Sequence, residues 1–291
     1  MLEKFKKYNS NYLILSGAVI FCCTMLLYTF VSIYFEKELG SLSRFDSFNN
    51  YFVFVFSALI IAPIFEEFTF RGYFANNLLF RTVSVIGMII YIYSTDNLYL
   101  YILLIILFGL NFVKNVDNKF SFIISSIIFS LVHYKTQDFS SIITIIPMFF
   151  QLSLGLILIW VVLNFNLFKS IIIHFLFNIF FIILFTIPLQ FPKGENKKVS
   201  YLGYTIEWSK TPIFSYKNTL ISRPSEYEVI AENVDIEKFY NAFDSNSITI
   251  NNDNKFFKFK IKINRVDSTA NKLDSKTLKK LLEKANLTEN K

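Results

Sequence analysis

Long apolar stretches, broken by short polar ones, fill the first 190 residues. The first is "YLILSGAVIFCCTMLLYTFVSIYF", residues 12–35. Others lie near 51–80, 82–96, 98–113, 119–134, 140–164 and 168–190. Apolar runs of about 18 or more residues read as transmembrane helices. Only helices and closed barrels satisfy every backbone group in lipid. The pattern predicts an all-α polytopic membrane helical bundle of about seven spans, the third and fourth being short.

The pattern changes at Pro188–Pro192. Beyond it, "KGENKKVSYLGYTIEW" is polar with strand-like alternation, and "FFKFKIKI" alternates apolar residues with lysine as a half-buried strand does. "SKTLKKLLEKA" carries a helical pattern. Two parts are expected: a membrane domain over 1–192 and a small C-terminal α+β soluble domain over 193–291. About 100 residues suffice for such a domain. It holds no recognisable catalytic motif or repeat.

Composition agrees with this division. The chain of 291 residues is 53% hydrophobic, with a mean hydropathy of +0.44. The first apolar run follows "EKFKK", as in a signal peptide, but it is too long and lacks a small-residue cleavage site. An uncleaved first helix is expected. Cys22 and Cys23 are adjacent, so on a helix they point about 100° apart and pair poorly. The net charge of +7 is spread over loops and tail, with no arginine stripe, so no nucleic-acid partner is expected. With the N-terminus inside and seven spans, inner loops hold Lys4, Lys6, Lys7, Arg81, Lys114, Lys119 and Lys169; outer loops hold Lys37, Arg44 and Lys135. The positive-inside rule favours that orientation, although one span more or fewer moves the tail across the membrane.

"FEEFTFR", residues 65–71, sets Glu66, Glu67 and Arg71 inside one of these apolar runs. Each such charge at mid-bilayer costs about 2.5–3.5 kcal/mol, so all three should face the bundle interior and one another. Glu67 and Arg71 are four apart and share a helix face, which suits an ion pair. Glu66 is left freer to meet a ligand or a water. Both histidines of the chain also sit in apolar runs. Phe129 and His133 are four apart, as are His174 and Asn178. Glu66 lies 15 residues before Arg81 and His133 lies 14 after Lys119, which puts both about 21–23 Å from basic helix ends. His174 is only 5 residues past Lys169, about 8 Å along its helix, and is expected to match less well in depth.

Glu66-Glu67-x-x-x-Arg71, Phe129-x-x-x-His133 and His174-x-x-x-Asn178 together resemble the three-motif signature of the CPBP intramembrane proteases. That family includes CAAX prenyl endopeptidases and bacteriocin-processing or self-immunity proteins. "APIFEEFTFRGYF", with Pro63 and Gly72 flanking the charges, and "LGLILIW" with "FKSIIIHFLFN" add to the likeness, which spans about residues 50–180. The chain departs from the family's usual spacing by an apolar hairpin near 82–113 and by the polar tail. The resemblance implies a multi-pass protein, expected in a bacterial plasma membrane, that hydrolyses peptide bonds as a glutamic protease without a metal or other cofactor. Its partners would be the bilayer and a peptide or protein substrate at the membrane. Glu66 would be the general base that deprotonates water, and His133 would position that water. His174 and Asn178 would form the oxyanion hole. Glu67 and Arg71 would hold the helix and its field, with Phe129 packed beside the site.

Two other readings fit the same residues. Glu66, His133 and His174 are plausible zinc ligands, although no H-E-x-x-H pair lies on one helix. A non-enzymatic scaffold, immunity protein or transporter would use the polar groups as a relay, although no internal repeat of the transporter kind is visible.

Overall fold

The computed structural model describes residues 10–35, 50–95, 97–110, 118–134, 142–192, 194–244 and 256–288. Lys4, Lys6, Lys7, Lys37, Arg44, Lys114 and Lys135, on which the orientation argument leans, lie outside the described residues. The chain divides into two compact units, one of Met1–Phe48 with Phe52–Phe180, the other of Asn49–Tyr51 with Phe181–Lys291.

The first unit is helical. Its elements are α1 (Asn11–Phe35), α2 (Tyr51–Phe74), α3 (Leu78–Tyr93), α4 (Leu98–Gly109), α5 (Asn118–Leu131), α6 (Ile142–Asn164) and α7 (Leu167–Gln190), whose last turns enter the second unit. Four are long and apolar enough to cross a membrane: α1, α2, α6 and α7. The other three of the expected seven, α3, α4 and α5, are apolar but shorter. Large apolar side chains such as Leu26, Ile105 and Ile172 stand exposed on helix faces, as lipid-facing residues do in a membrane protein.

Small residues let the core helices close. A Cβ on Gly17 of α1 would lie 2.9 Å from the Ser153 carbonyl of α6, and one on Gly155 of α6 would lie 3.0 Å from Ser126 of α5. Such small-residue contacts bring backbones together where lipid offers no hydrophobic driving force. Phe70, Phe74, Phe122, Phe129 and Leu158 are buried in the resulting core.

The α2 helix is not uniform. It is α-helical at Tyr51–Phe56 and Ala62–Glu66 and π-helical at Ser57–Ile61 and Glu67–Arg71, and it ends in a 3₁₀ turn at Gly72–Phe74. Pro63 explains the first widening, because proline has no N–H to give the carbonyl four residues earlier and its ring crowds that carbonyl. The sequence led to one run over 51–80, but the helix stops at Phe74. Ala75 is extended, and Asn77 caps α3 by accepting from the Leu79 N–H at 2.8 Å. The α3 helix then folds back: Ser84 donates to the Thr69 carbonyl, and Gly72 lies against Phe80. The depth count from Glu66 to Arg81 therefore crosses a reversal and fails. From Glu66 to the end of α2 at Phe74 is only about 12 Å, closer to the 8 Å of His174. This weakens the mismatch expected for that histidine.

The second unit contains a five-stranded antiparallel sheet in the order β1-β2-β5-β4-β3. Its strands are β1 (Lys197–Tyr201), β2 (Tyr204–Thr211), β3 (Leu220–Ser225), β4 (Glu228–Val234) and β5 (Lys258–Arg265). The alternation in "FFKFKIKI" appears as buried Phe259, Ile261 and Ile263 on one face of β5. With Ile206 and Val229 they share a core with buried leucines of α9 (Ser275–Lys284) and with Phe239 of α8 (Ile236–Asn241). Lysines on the other face of β5 meet carboxylates of neighbouring strands, as in Lys260–Glu232 at 2.9 Å. Lys198 of β1 likewise bonds Glu207 of β2 at 2.8 Å and holds that carboxyl below its ordinary range. Within the same unit, the Tyr51 hydroxyl bonds Thr186 at 2.6 Å.

Candidate active site

Three helices bring the motif residues together. The second π turn of α2 begins at Glu67, directly after Glu66, and closes with the Gly72 N–H on the Glu67 carbonyl. Single π turns of this kind are frequent at functional sites. Glu66, Glu67, Arg71 and His174 are all buried, with Glu67 fully inaccessible.

Glu67 is the centre of a tight network. Its Oε1 lies 3.3 Å from Nη1 of Arg71 and 2.9 Å from Nδ1 of His174, and its Oε2 accepts a hydrogen bond from the Ser170 hydroxyl. The Arg71 guanidinium stacks 3.7 Å over the Phe129 ring. Such a contact supports a desolvated cation through the ring's negative face. The spacing argument that pairs Glu67 rather than Glu66 with Arg71 thus matches the geometry.

Glu66 faces both histidines. Its Oε1 is 3.3 Å from Nε2 of His133, and its Oε2 is 3.7 Å from Nε2 of His174. His133 lies just beyond the end of α5, and His174 lies on α7 one turn after Ser170. Of Glu66, His133, His174 and Asn178, which are expected to converge, Glu66 meets both histidines, whereas Asn178 is bonded to the Ala58 carbonyl. Phe129 packs edge-on against His133, ring centroids 4.9 Å apart, and against His174 at 6.1 Å. Asn178, one turn beyond His174, donates from Nδ2 to the Ala58 carbonyl at 2.7 Å. That carbonyl belongs to the first π turn of α2, so Asn178 ties α7 to α2 in this structure.

These contacts fix where protons sit. Nδ1 of His133 is 2.6 Å from the Phe129 carbonyl. A carbonyl only accepts, so Nδ1 carries hydrogen, and whenever the ring is neutral Nε2 turns a lone pair toward Glu66. His174 gives its Nδ1 hydrogen to the Glu67 carboxylate and presents Nε2 to Glu66 in the same way. A Glu66 carboxylate between two Nε2 lone pairs needs a further proton to bond either one. With both rings neutral, the site is a cradle of acceptors around a place for a proton or a proton-donating molecule such as water.

Sequence reasoning missed Ser170 and the carbonyls of Phe129 and Ala58. Ser170 carried a usable signal, since it stands four residues before His174 on the same face. The carbonyls carried none, because each acts through its backbone position. Among the described residues, no three of His, Cys, Asp and Glu are disposed to hold a metal ion.

A helical membrane segment with a buried Glu-His-His cluster defines a class: polytopic membrane proteins with a polar centre inside the bundle. Residues 48–180 match the family model described as type II CAAX prenyl endopeptidase Rce1-like. This is the CPBP/CAAX protease family that the three motifs resemble, and the match takes in every motif residue. No curated protein and no solved structure matches the chain.

Proposed function

We propose that the helical domain is an intramembrane endopeptidase that hydrolyses a peptide bond of a membrane-associated protein or peptide with a water activated by Glu66. The observation that carries this reading is the placement of Glu66 between Nε2 of His133 and Nε2 of His174. Its place between two imidazoles suits it to accept a proton. In its unprotonated form it takes the proton of a water, and the oxygen attacks the scissile carbonyl. His133, held with hydrogen on Nδ1, accepts from that water at Nε2 and orients it.

His174 needs a second proton to play the oxyanion role. With Nδ1 given to Glu67, its Nε2 donates only as the imidazolium, a charge that the Glu67 carboxylate supports at 2.9 Å. Asn178 keeps one amide hydrogen beyond the one given to Ala58, and that hydrogen is the second donor to the tetrahedral oxygen. Collapse of the intermediate passes the proton held by Glu66 to the leaving amine. No step needs a metal or other cofactor. Chelation tests the zinc alternative: activity that disappears in chelator and returns with zinc would favour it.

The full span count belongs to this proposal: α3, α4 and α5 complete seven spans, with the N-terminus inside and the protein in a bacterial plasma membrane. Residues 193–291 then act as a separate soluble domain. The family description names prenyl endopeptidases, so the first experiment offers purified full-length protein in liposomes a farnesylated C-terminal peptide and its unprenylated twin. Cleavage of either supports the endopeptidase; cleavage of the farnesylated form alone assigns the lipid to substrate recognition. Cleavage of neither, with the protein shown to be folded, favours the scaffold or immunity reading.

A further inference from the structure

We propose that Ser170 is a positioning residue that sets the orientation of Glu67 and, through it, the tautomer of His174. The inference rests on the protease reading for its catalytic consequence, but its structural half stands alone. A hydroxyl on a membrane helix ordinarily gives its hydrogen to a carbonyl one turn back. Ser16, Thr24, Ser126 and Thr186 all do so in this chain, donating to Tyr12, Ile20, Phe122 and Ile182. Ser170 does not. The carbonyl one turn back, on Asn166, receives the Ser170 backbone N–H at 3.3 Å, while the hydroxyl crosses to Oε2 of Glu67. Its alternative acceptor, the Leu158 carbonyl, is more distant at 3.3 Å.

The carboxylate has two oxygens and three neighbours that can donate. Oε1 faces both Arg71 and His174. Oε2 has Ser170, which is fully buried. Without that hydroxyl, Oε2 loses its donor, and the carboxylate gains by turning Oε2 toward the fork of Arg71, whose N–H groups are arranged for two oxygens. That rotation draws Oε1 from His174. The ring is then no longer obliged to keep hydrogen on Nδ1, and Nε2 no longer reliably faces Glu66 as the group that takes up or gives a proton. Ser170 thus fixes the proton on the far side of His174 without touching Glu66 itself. The groups that meet His174 are Glu66 and Glu67 from α2 and Phe129 from α5. Ser170 is the hydroxyl neighbour of this set on α7.

The test uses full-length protein labelled with ¹⁵N at its two histidines, compared as wild type, Ser170→Ala and Ser170→Thr, with folding followed by circular dichroism. In the wild type, His174 should hold one tautomer with hydrogen on Nδ1, and Ser170→Ala should give a mixture. On a peptide that the wild type cleaves, Ser170→Ala should lower kcat about 10–100-fold, the range for outer groups that orient a working histidine. KM should change by less than about twofold, because an orienting hydroxyl acts on the chemical step. Ser170→Thr, which keeps the hydroxyl, should restore both signals. If no peptide is cleaved by any form, the tautomer shift still supports the positioning role, and it is the protease reading that fails. A His174 tautomer unmoved in folded Ser170→Ala overturns the proposal. So does a loss of kcat that Ser170→Thr shares while both variants stay folded.

Discussion

Replacing Glu67 by Gln changes the site by one charge and almost no volume. The amide keeps an oxygen for Nδ1 of His174, and the Ser170 hydroxyl can turn to accept from the new NH₂ group. Arg71 loses its carboxylate at 3.3 Å while remaining 1% exposed. Removing one partner of a buried ion pair costs about 3–5 kcal/mol, because the other charge is left uncompensated. The Phe129 face at 3.7 Å offsets part of this, up to about 2 kcal/mol for a desolvated cation. At the full offset the net expectation is a destabilisation of about 1–3 kcal/mol. Arg71→Met should cost a similar amount by stranding Glu67. The double variant should cost clearly less than the two together, with a coupling of about 2 kcal/mol. Reversible unfolding of the purified protein in mixed micelles, titrated with a denaturing detergent, supplies the four free energies. A Glu67→Gln variant within about 0.5 kcal/mol of wild type, the scale of an inconsequential surface change, would refute the reasoning. So would strict additivity of the two single changes.

Asn178→Ala should lower the turnover rate by about 10²-fold through loss of an oxyanion donor. It should also weaken folding by about 1 kcal/mol through loss of the bond to Ala58; unchanged steady-state kinetics in folded protein would remove Asn178 from the mechanism. In the tail, Asp274 accepts from the Thr277 N–H at 2.8 Å and caps α9, so Asp274→Ala should cost about 1 kcal/mol of tail stability. Thr277, through its side chain and its N–H, holds the Asp274 carboxyl below its ordinary value of 3.8. The lowered folded value means that the contribution is fully present above pH 3.8 and is lost as pH falls through that lower value. Thermal unfolding followed by the sheet signal should show a smaller acid loss in Asp274→Ala than in the wild type, the remainder coming from carboxyls such as Glu207 that are lowered as well.

How far the sequence could be read varied with the physics of each feature. The Glu67–Arg71 pair and the meeting of Glu66 with both histidines followed from spacing and the cost of charge in lipid, which leave few alternatives. The end of α2 did not, because a continuing helix and a reversal are equally apolar inside a membrane. The hint was local: Asn76 and Asn77 between two apolar runs, of which Asn77 became the cap of α3. The seven apolar runs were visible, but among the described residues four form helices with the length and hydropathy of a span. Strand β5 was legible since one of its faces meets water and the other the core, which forces alternation. The order of the strands was not, because no single strand carries its neighbour's identity. Ser170 was passed over because a serine in an apolar helix is usually satisfied by its own backbone.

The most direct measurement of the central claim is single-turnover cleavage by wild type and Glu66→Gln, each in detergent with a strong chelator and again with added zinc. The substitution keeps the size of the side chain between His133 and His174 and removes the proton acceptor. The account predicts full wild-type activity in chelator and no rate change on adding zinc. It predicts a folded Glu66→Gln that binds peptide but cleaves it at least about 10³-fold more slowly, in the range expected when general-base catalysis is lost. Undiminished cleavage by Glu66→Gln, or wild-type activity that follows the zinc concentration, would contradict it.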